Sequence, residues 1–75
     1  MQIKYFKDTD TLLIIFSNNN IVETKDLNEN VLLETDEEGN IVSMTIEHAE
    51  QQTDVSNFTF NQILKESVNK DTAYV

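Results

Sequence analysis

Two short acidic clusters are the parts of this chain whose residue types and spacing come closest to carrying chemistry. Asp8-Thr9-Asp10 brings two carboxylates together, and Asp36-Glu37-Glu38 precedes Gly39, the single glycine of the sequence. Carboxylates at such spacing can bind a divalent cation, but the first cluster lacks the Asp/Asn-Gly step and the distant bidentate Glu of a calcium loop. We therefore interpret both clusters as turns, with Gly39 supplying a positive φ in the second.

Few residues of the sequence could act as catalytic nucleophiles. His48 is the only histidine and there is no cysteine. None of the serines has a Gly-x-Ser-x-Gly context, and one glycine is too few for a phosphate-binding loop. We expect His48 to be an exposed titrating side chain. The prediction is a protein that is not an enzyme, with no catalytic residues, no cofactor and no bound metal.

The length of the chain sets the scale of its core. Its 75 residues predict a single small domain, which buries only about 60% of the surface that the unfolded chain exposes. With no cysteine and one histidine, the sequence favours neither disulfides nor a multi-ligand metal site as a source of stability, which leaves self-association. No stretch is apolar over the roughly 20 residues of a membrane span, and the N-terminus lacks the long apolar run of a signal peptide. We expect a cytoplasmic protein that does not bind membranes.

The formal net charge of −9 is concentrated in one part of the sequence. Residues 26–64 contain no lysine and hold these acids: Asp26, Glu29, Glu34, Asp36, Glu37, Glu38, Glu47, Glu50 and Asp54. Arginine is absent from the whole chain. Nucleic-acid binding depends on clustered Lys and Arg, so we expect no DNA or RNA partner. A basic protein partner fits this charge, and so does an acidic surface that serves only solubility.

The hydrophobic pattern indicates a fold that is α+β but mainly β. Residues 31–35 and 41–47 flank the second acidic cluster, and in the later segment Val42, Met44 and Ile46 alternate with polar residues, as in a strand with one buried face. Further strands are predicted at residues 2–5, 12–16 and 21–25, with an asparagine turn at 18–20 before the third. The simplest arrangement is a small antiparallel meander sheet of about five strands with one C-terminal helix.

The second strand is apolar at every position, so both of its sides need cover. Either the set Leu12, Ile14 and Phe16 or the set Leu13 and Ile15 is expected to meet a second subunit, unless the chain's own tail covers the second face. We favour a homodimer over a self-covered monomer because so small a chain can hardly cover both faces. The interface candidates are Leu13, Ile15, Phe60 and Leu64.

The tail, residues 51–75, changes to a helical period. Thr59 and Gln62 fit a capping box, and Phe58 and Ile63 fit the accompanying hydrophobic staple. Apolar residues then recur at the spacing of one helix face, which predicts a helix over residues 60–68. A helix this short must dock on the sheet to be stable, on its own subunit or swapped to a neighbour.

Residues 1 to about 50 resemble a known family. The residues that carry the likeness are, in order, Ile3-x-Tyr5, Asp10-x-Leu12-x-Ile14-x-Phe16-Ser17, Val22, Val31-x-Leu33, Asp36, Gly39-x-Ile41-Val42, and Ile46 with Ala49. This nearly gap-free pattern is similar to the small prokaryotic domain-of-unknown-function 2283 family. The chain departs from it at Phe6, where the family usually has Asp, and at Ser43, where it usually has Gly.

The resemblance implies a compact β-rich fold and no established activity. It also implies a possible kind of partner, since some members are thought to act as antitoxins because they pair with small toxin-like proteins. Our leading hypothesis is a non-catalytic protein-interaction module, in its sharper form an acidic antitoxin-like partner of a small basic RNA-cleaving protein. The alternative is a small-molecule or divalent-cation binding domain that uses the acids of the first turn or of the hairpin tip.

Overall fold

Five antiparallel strands and one short helix form the fold in the computed structural model, which describes residues 1–65. In chain order they are β1 (Gln2–Phe6), β2 (Thr11–Ile15), β3 (Glu23–Asn28), β4 (Val31–Thr35), β5 (Ile41–Glu47) and α1 (Ala49–Gln52). All five strands belong to one sheet. The predicted class, mainly β with one helix C-terminal to the sheet, is confirmed, and β4 and β5 have the predicted bounds.

The order of the strands differs from a simple meander. Across the sheet they run β1-β2-β5-β4-β3, so β2 pairs with β5 and not with its successor β3. The hairpin β1–β2 and the three-stranded unit β3–β4–β5 are each local, and the β2–β5 pairing joins them. A strict meander is therefore wrong at one connection.

The character of β3 explains this order. All six of its residues are exposed, and it carries Glu23, Lys25 and Asp26. A register shift between Asp26 and Asn28 adds a bulge to the strand. Charges and bulges are typical of edge strands, because they discourage further pairing. In a strict meander this strand would lie at the centre of the sheet, where β5, with its alternating apolar residues, lies instead.

The connection from β2 to β3 crosses the end of the sheet rather than reversing in a tight turn. It must pass three strand spacings, about 14 Å, and residues 16–22 reach roughly 23 Å when extended. The predicted asparagine turn at 18–20 is absent, and none of the three asparagines has a positive φ. β3 begins two residues later than predicted because Ile21 and Val22 belong to this crossing.

The only helix of the described residues directly follows β5 and is one turn long. The predicted helix over residues 60–68 is wrong for 60–65, which have no helical structure, and residues 66–68 lie outside the described part. Phe58, Phe60, Ile63 and Leu64 are 65–82% exposed. These side chains therefore do not dock on the sheet, and docking is what so short a helix requires.

Few side chains are fully buried. Among the described apolar residues only Val42 and Ala49 are, at 4% and 0% exposure. The five residues of β2 are all half-buried, which is consistent with a strand that is apolar on both sides and incompletely covered on each. One sheet without a second layer thus sets the architecture of residues 1–65.

The β4–β5 turn depends on Gly39, as the sequence predicts. Gly39 has a φ of +87° and its N–H donates to the carbonyl of Asp36 at 3.0 Å. A Cβ added there would meet no atom within 4 Å, so a substitution costs only backbone strain.

We expect Gly39→Ala to lower the free energy of unfolding by about 1 kcal/mol and Gly39→Asn by less, because asparagine tolerates positive φ. Urea unfolding tests this, and an equal loss in both variants would contradict it.

Candidate functional site

The pairing register divides the side chains of the sheet between two faces, since antiparallel partners project to the same side. Ile14 lies opposite Ile3 on one neighbouring strand and opposite Met44 on the other, and Leu33 lies beyond Met44. This side, called the apolar face below, consists of Ile3, Tyr5, Leu12, Ile14, Val31, Leu33, Val42, Met44 and Ile46, with Glu23 and Lys25 at the β3 margin.

The opposite side, called the mixed face, combines apolar and charged residues. It presents Leu13, Ile15 and Leu32 together with Lys4, Asp26, Glu34, Ser43, Thr45 and Glu47. At its centre the Ser43 hydroxyl donates to Glu34 Oε1 at 2.6 Å, and Ser43 is only 4% exposed. This pair satisfies two polar groups across neighbouring strands but includes no base that could activate the serine.

The apolar face is incompletely covered in a single copy. The side chains of Leu12, Ile14, Leu33, Met44 and Ile46 are all half-buried rather than buried. In the described tail beyond α1, residues 53–65, only Val55 is even half-buried. Contiguous apolar surface of more than a few hundred Å² is uncommon on monomeric soluble proteins.

Two aromatic residues of the tail border the apolar face. Phe58 and Phe60 line one recess with Met1 and Ile3 at the start of β1. Both rings stay largely exposed, at 65% and 68%. The tail therefore extends the apolar surface beside β1 instead of closing it.

The four predicted interface residues fall in two different places. Leu13 and Ile15 are half-buried on the mixed face. Phe60 and Leu64 are exposed in the tail, where Phe60 shares a recess with Ile3 of the apolar face. The structure thus does not bring the four together, and their role in an interface stays a prediction.

Asp10 connects the first turn to α1. Its φ of 55° turns the backbone so that its carbonyl accepts the Ala49 N–H at 3.0 Å, while Oδ1 accepts the Glu50 N–H at 3.0 Å and the Tyr5 hydroxyl at 2.7 Å. The carboxylate thus supplies the helix cap that His48, at the N-cap position, does not make with its side chain. Both acceptor groups of Asp10 serve this clip, as we call it.

The clip changes the acidity of Tyr5. Its hydrogen bond to Asp10, together with desolvation and the nearby carboxylates of Asp10 and Glu50, raises the pKa of Tyr5 to about 12. A donor held by an anion keeps its proton to higher pH.

Asp36 organises the acidic hairpin tip in a similar way. Its Oδ2 accepts from Asn19 Nδ2 at 2.8 Å, and its Oδ1 accepts from the N–H groups of Glu38 and Asn40 at 3.0 and 2.8 Å. These hydrogen bonds lower the pKa of Asp36, and the bond from Asn19 has the largest effect. Asp36 as a whole residue is 9% exposed, and its carboxylate fixes the turn and fastens the β2–β3 crossing to it.

The remaining residues that could take part in metal binding or catalysis do not form a cluster in the described part of the chain. Within residues 1–65, no group of three or more His, Cys, Asp or Glu side chains lies close enough to hold a metal ion. His48 is exposed, as predicted, and its Nδ1 lies 3.0 Å from Asn30 Oδ1. In the same part of the chain no helix has the length and hydropathy needed to cross a bilayer.

Comparison with known proteins identifies the family. The family described as "Protein of unknown function (DUF2283)" matches residues 2–50. The chain belongs to the DUF2283 family. No curated protein and no solved structure matches it.

The DUF2283 region contains the whole sheet and the first two residues of α1. Both residues that α1 gives to the clip, Ala49 and Glu50, therefore lie inside the matched region, whereas the exposed aromatic residues of the tail lie outside it. Sequence reasoning missed the clip because Asp10 and Glu50 are separated by 40 positions. The only local sign of the clip in the sequence is Asp10, which ends a turn five residues after Tyr5.

The raised pKa of Tyr5 makes stability sensitive to alkaline pH. Between its ordinary value of 10.0 and about 12, the folded DUF2283 domain keeps a proton that the unfolded chain has lost. The contribution of Tyr5 is therefore complete below pH 10, falls through this window and is gone above it. We expect the free energy of unfolding to decline less steeply there in Tyr5→Phe than in the wild type. Urea unfolding across the window tests this, and parallel declines would contradict it.

The lowered pKa of Asp36 has the opposite effect on how stability depends on pH. The folded state releases this proton more readily than the unfolded chain, so its contribution is present above the ordinary value of 3.8 and is lost as pH falls through the folded-state pKa. We expect Asp36→Ala to destabilise the protein at neutral pH and to flatten its acid unfolding, whereas exposed Glu37→Ala changes little. Acid titration followed by circular dichroism tests this, and equal behaviour of the two variants would count against it.

Proposed function

We propose that this protein is a non-catalytic protein-interaction module. The observation that carries the proposal is the apolar face, a nearly uncharged sheet surface whose central residues Ile14 and Met44 are only half-buried in one copy. Burial of such a surface against another protein is favourable by about 25 cal/mol per Å² of apolar area removed from water. No group assembled within residues 1–65 offers a competing catalytic explanation.

Acidic residues surround this surface at both ends of the strands. Exposed Glu37 and Glu38 occupy the β4–β5 turn, and exposed Glu29, Glu47 and Glu50 lie at the opposite end. We call these five residues the acidic ends. An apolar centre with a charged periphery is the usual organisation of a protein interface.

The charge of the acidic ends supports a basic protein as the partner. Charged groups at the periphery of an interface steer association and contribute more to its rate than to its affinity. In its sharper form the proposal is an antitoxin-like role, in which the acidic ends cover the basic surface of a small RNA-cleaving protein. This form rests on the distribution of charge and on the family resemblance.

A divalent-cation site remains the alternative proposal, favoured by one feature. A polar recess is lined by the asparagines of residues 18–20 and by Asp36, Glu37 and Glu38. Asp36 already accepts three hydrogen bonds, which leaves Glu37 and Glu38 as free carboxylates. Calorimetric titration with calcium, magnesium and manganese tests it, and saturable heat that Glu37→Gln removes would support it.

The interaction proposal is tested by affinity capture from the native host at low and high salt. We expect recovery of a small basic protein that falls about tenfold when salt is raised to roughly 0.5 M, because screening weakens contacts between exposed charges. The double variant Glu37→Gln with Glu38→Gln is expected to reduce recovery. The double variant Asp26→Asn with Asp54→Asn, which removes the same charge from exposed acids outside the acidic ends and the apolar face, serves as the matched control. Recovery of no basic protein, or capture that salt does not change, would refute the antitoxin-like form.

A further inference from the structure

We propose that the apolar face packs against the apolar face of a second copy of this chain, forming a two-layered dimer. The inference rests on the proposed function, since it names the occupant of the interaction surface. The basic partner is then left to the acidic ends, which this packing does not cover. Two sheets packed face to face lie about 10 Å apart and share one apolar layer, which is the arrangement that a lone sheet lacks.

The charges of the two faces decide which one meets a second copy. In a two-fold dimer the same patch meets itself, so any net charge on the patch is doubled at the contact. The strands contribute only Glu23 and Lys25 to the apolar face, one charge of each sign at its margin, and the Asp10 carboxylate lies at its end, where it accepts the Tyr5 hydroxyl. The mixed face carries Lys4 against the acids Asp26, Glu34 and Glu47. Although the chain as a whole has a net charge of −9, the strand residues of its apolar face therefore carry no net charge, unlike those of the mixed face.

The small number of acids on the apolar face, where Lys25 balances Glu23, also argues against a basic occupant there. A basic protein gains from carboxylates on the surface it covers, and most carboxylates of the strands and turns lie at the ends of the strands and on the mixed face. An apolar surface without net charge is what a second, equally apolar surface requires. A second copy of the chain presents such a surface, because it has the same apolar face.

The size of the face is suited to a small interface. Five strands of 5–7 residues cover roughly 24 Å by 17–23 Å, a projected area of about 400–550 Å². A standard interface buries about 800 Å² of accessible surface on each partner, and protruding side chains present more surface than the projection. The sheet alone thus lies at the small end of this range.

The tail supplies additional contact area. Phe58 and Phe60 border the apolar face beside Ile3, and their rings are 65% and 68% exposed in one copy. Aromatic side chains contribute large contact areas to interfaces. We therefore expect Phe60→Ala to weaken the dimer about tenfold without changing its architecture.

Salt separates this contact from the binding of a basic partner. Two chains that each carry −9 repel one another, and screening reduces that repulsion. The dimer is therefore expected to tighten as salt is raised, whereas capture of a basic protein is expected to weaken. The two responses have opposite signs.

Single-cysteine variants locate the interface, because the natural chain has no thiol. Met44→Cys and Thr45→Cys place one thiol on each face at neighbouring half-buried positions of β5, and Ile14→Cys and Ile15→Cys form a second matched pair on β2. Thiol labelling is measured from about 1 μM to about 1 mM protein, with circular dichroism to confirm folding. We expect labelling of Met44→Cys and Ile14→Cys to slow at least tenfold with concentration, and labelling of the other two to change less than twofold.

Sedimentation equilibrium of the wild-type chain gives the oligomeric state over the same range. A mass that rises from 8.7 kDa towards twice that value, and does so at lower concentration in higher salt, supports the dimer. A monomer at about 1 mM, or protection of the Thr45→Cys and Ile15→Cys thiols instead, overturns the inference.

These outcomes are separable from those of the capture experiment. A monomeric chain that still captures a basic protein removes the dimer and leaves the proposed function intact. A dimer through the apolar face that captures no basic protein removes the antitoxin-like form and leaves the inference intact.

Discussion

The pairing of β5 with both β2 and β4 is the contact on which the rest of the fold depends. β5 is the longest strand and has partners on both edges, with the β1–β2 hairpin on one side and the β3–β4 hairpin on the other. Without it the chain would consist of two separate hairpins, and isolated hairpins are at best marginally stable in water. The same pairing aligns the apolar residues of four strands on one side, so the apolar face is a product of register as much as of composition.

Two aspartates hold the ends of this sheet in place, and they do so with the groups that the sequence offered as cation ligands. Asp10 fastens α1 to the first turn, and Asp36 fastens the β2–β3 crossing to the hairpin tip. In each case the carboxylate accepts several N–H or O–H donors, which is the arrangement that best compensates a partly desolvated anion. The acids of this chain thus divide into a few that build structure and a larger exposed group that shapes the surrounding field.

Local pattern was sufficient for much of the fold. Alternation in β5 and the glycine at the hairpin tip predicted the β4–β5 unit with its observed bounds, and the apolar run of β2 predicted a strand needing cover on both sides. The strand order was not predictable in this way, because β2 and β5 pair across about 30 intervening residues and nothing local records that contact. The helix over residues 60–65 failed for a related reason: its spacing was helical, but its stability depended on a docking surface that periodicity cannot supply. Alternation along β2 already places Leu13 and Ile15 on one side and Ile14 on the other. Only the pairing register shows which charged residues share each side.

The bulged, charged edge formed by β3 limits how far the sheet can grow. Strand addition at that edge would place Glu23, Lys25 and Asp26 beside an incoming backbone whose spacing the bulge does not match. Within residues 1–65 the other edge of the sheet is β1, which has no bulge in its pairing with β2. A charged and bulged edge is one of the devices by which natural sheets avoid edge-to-edge aggregation into fibres, and β3 has both features.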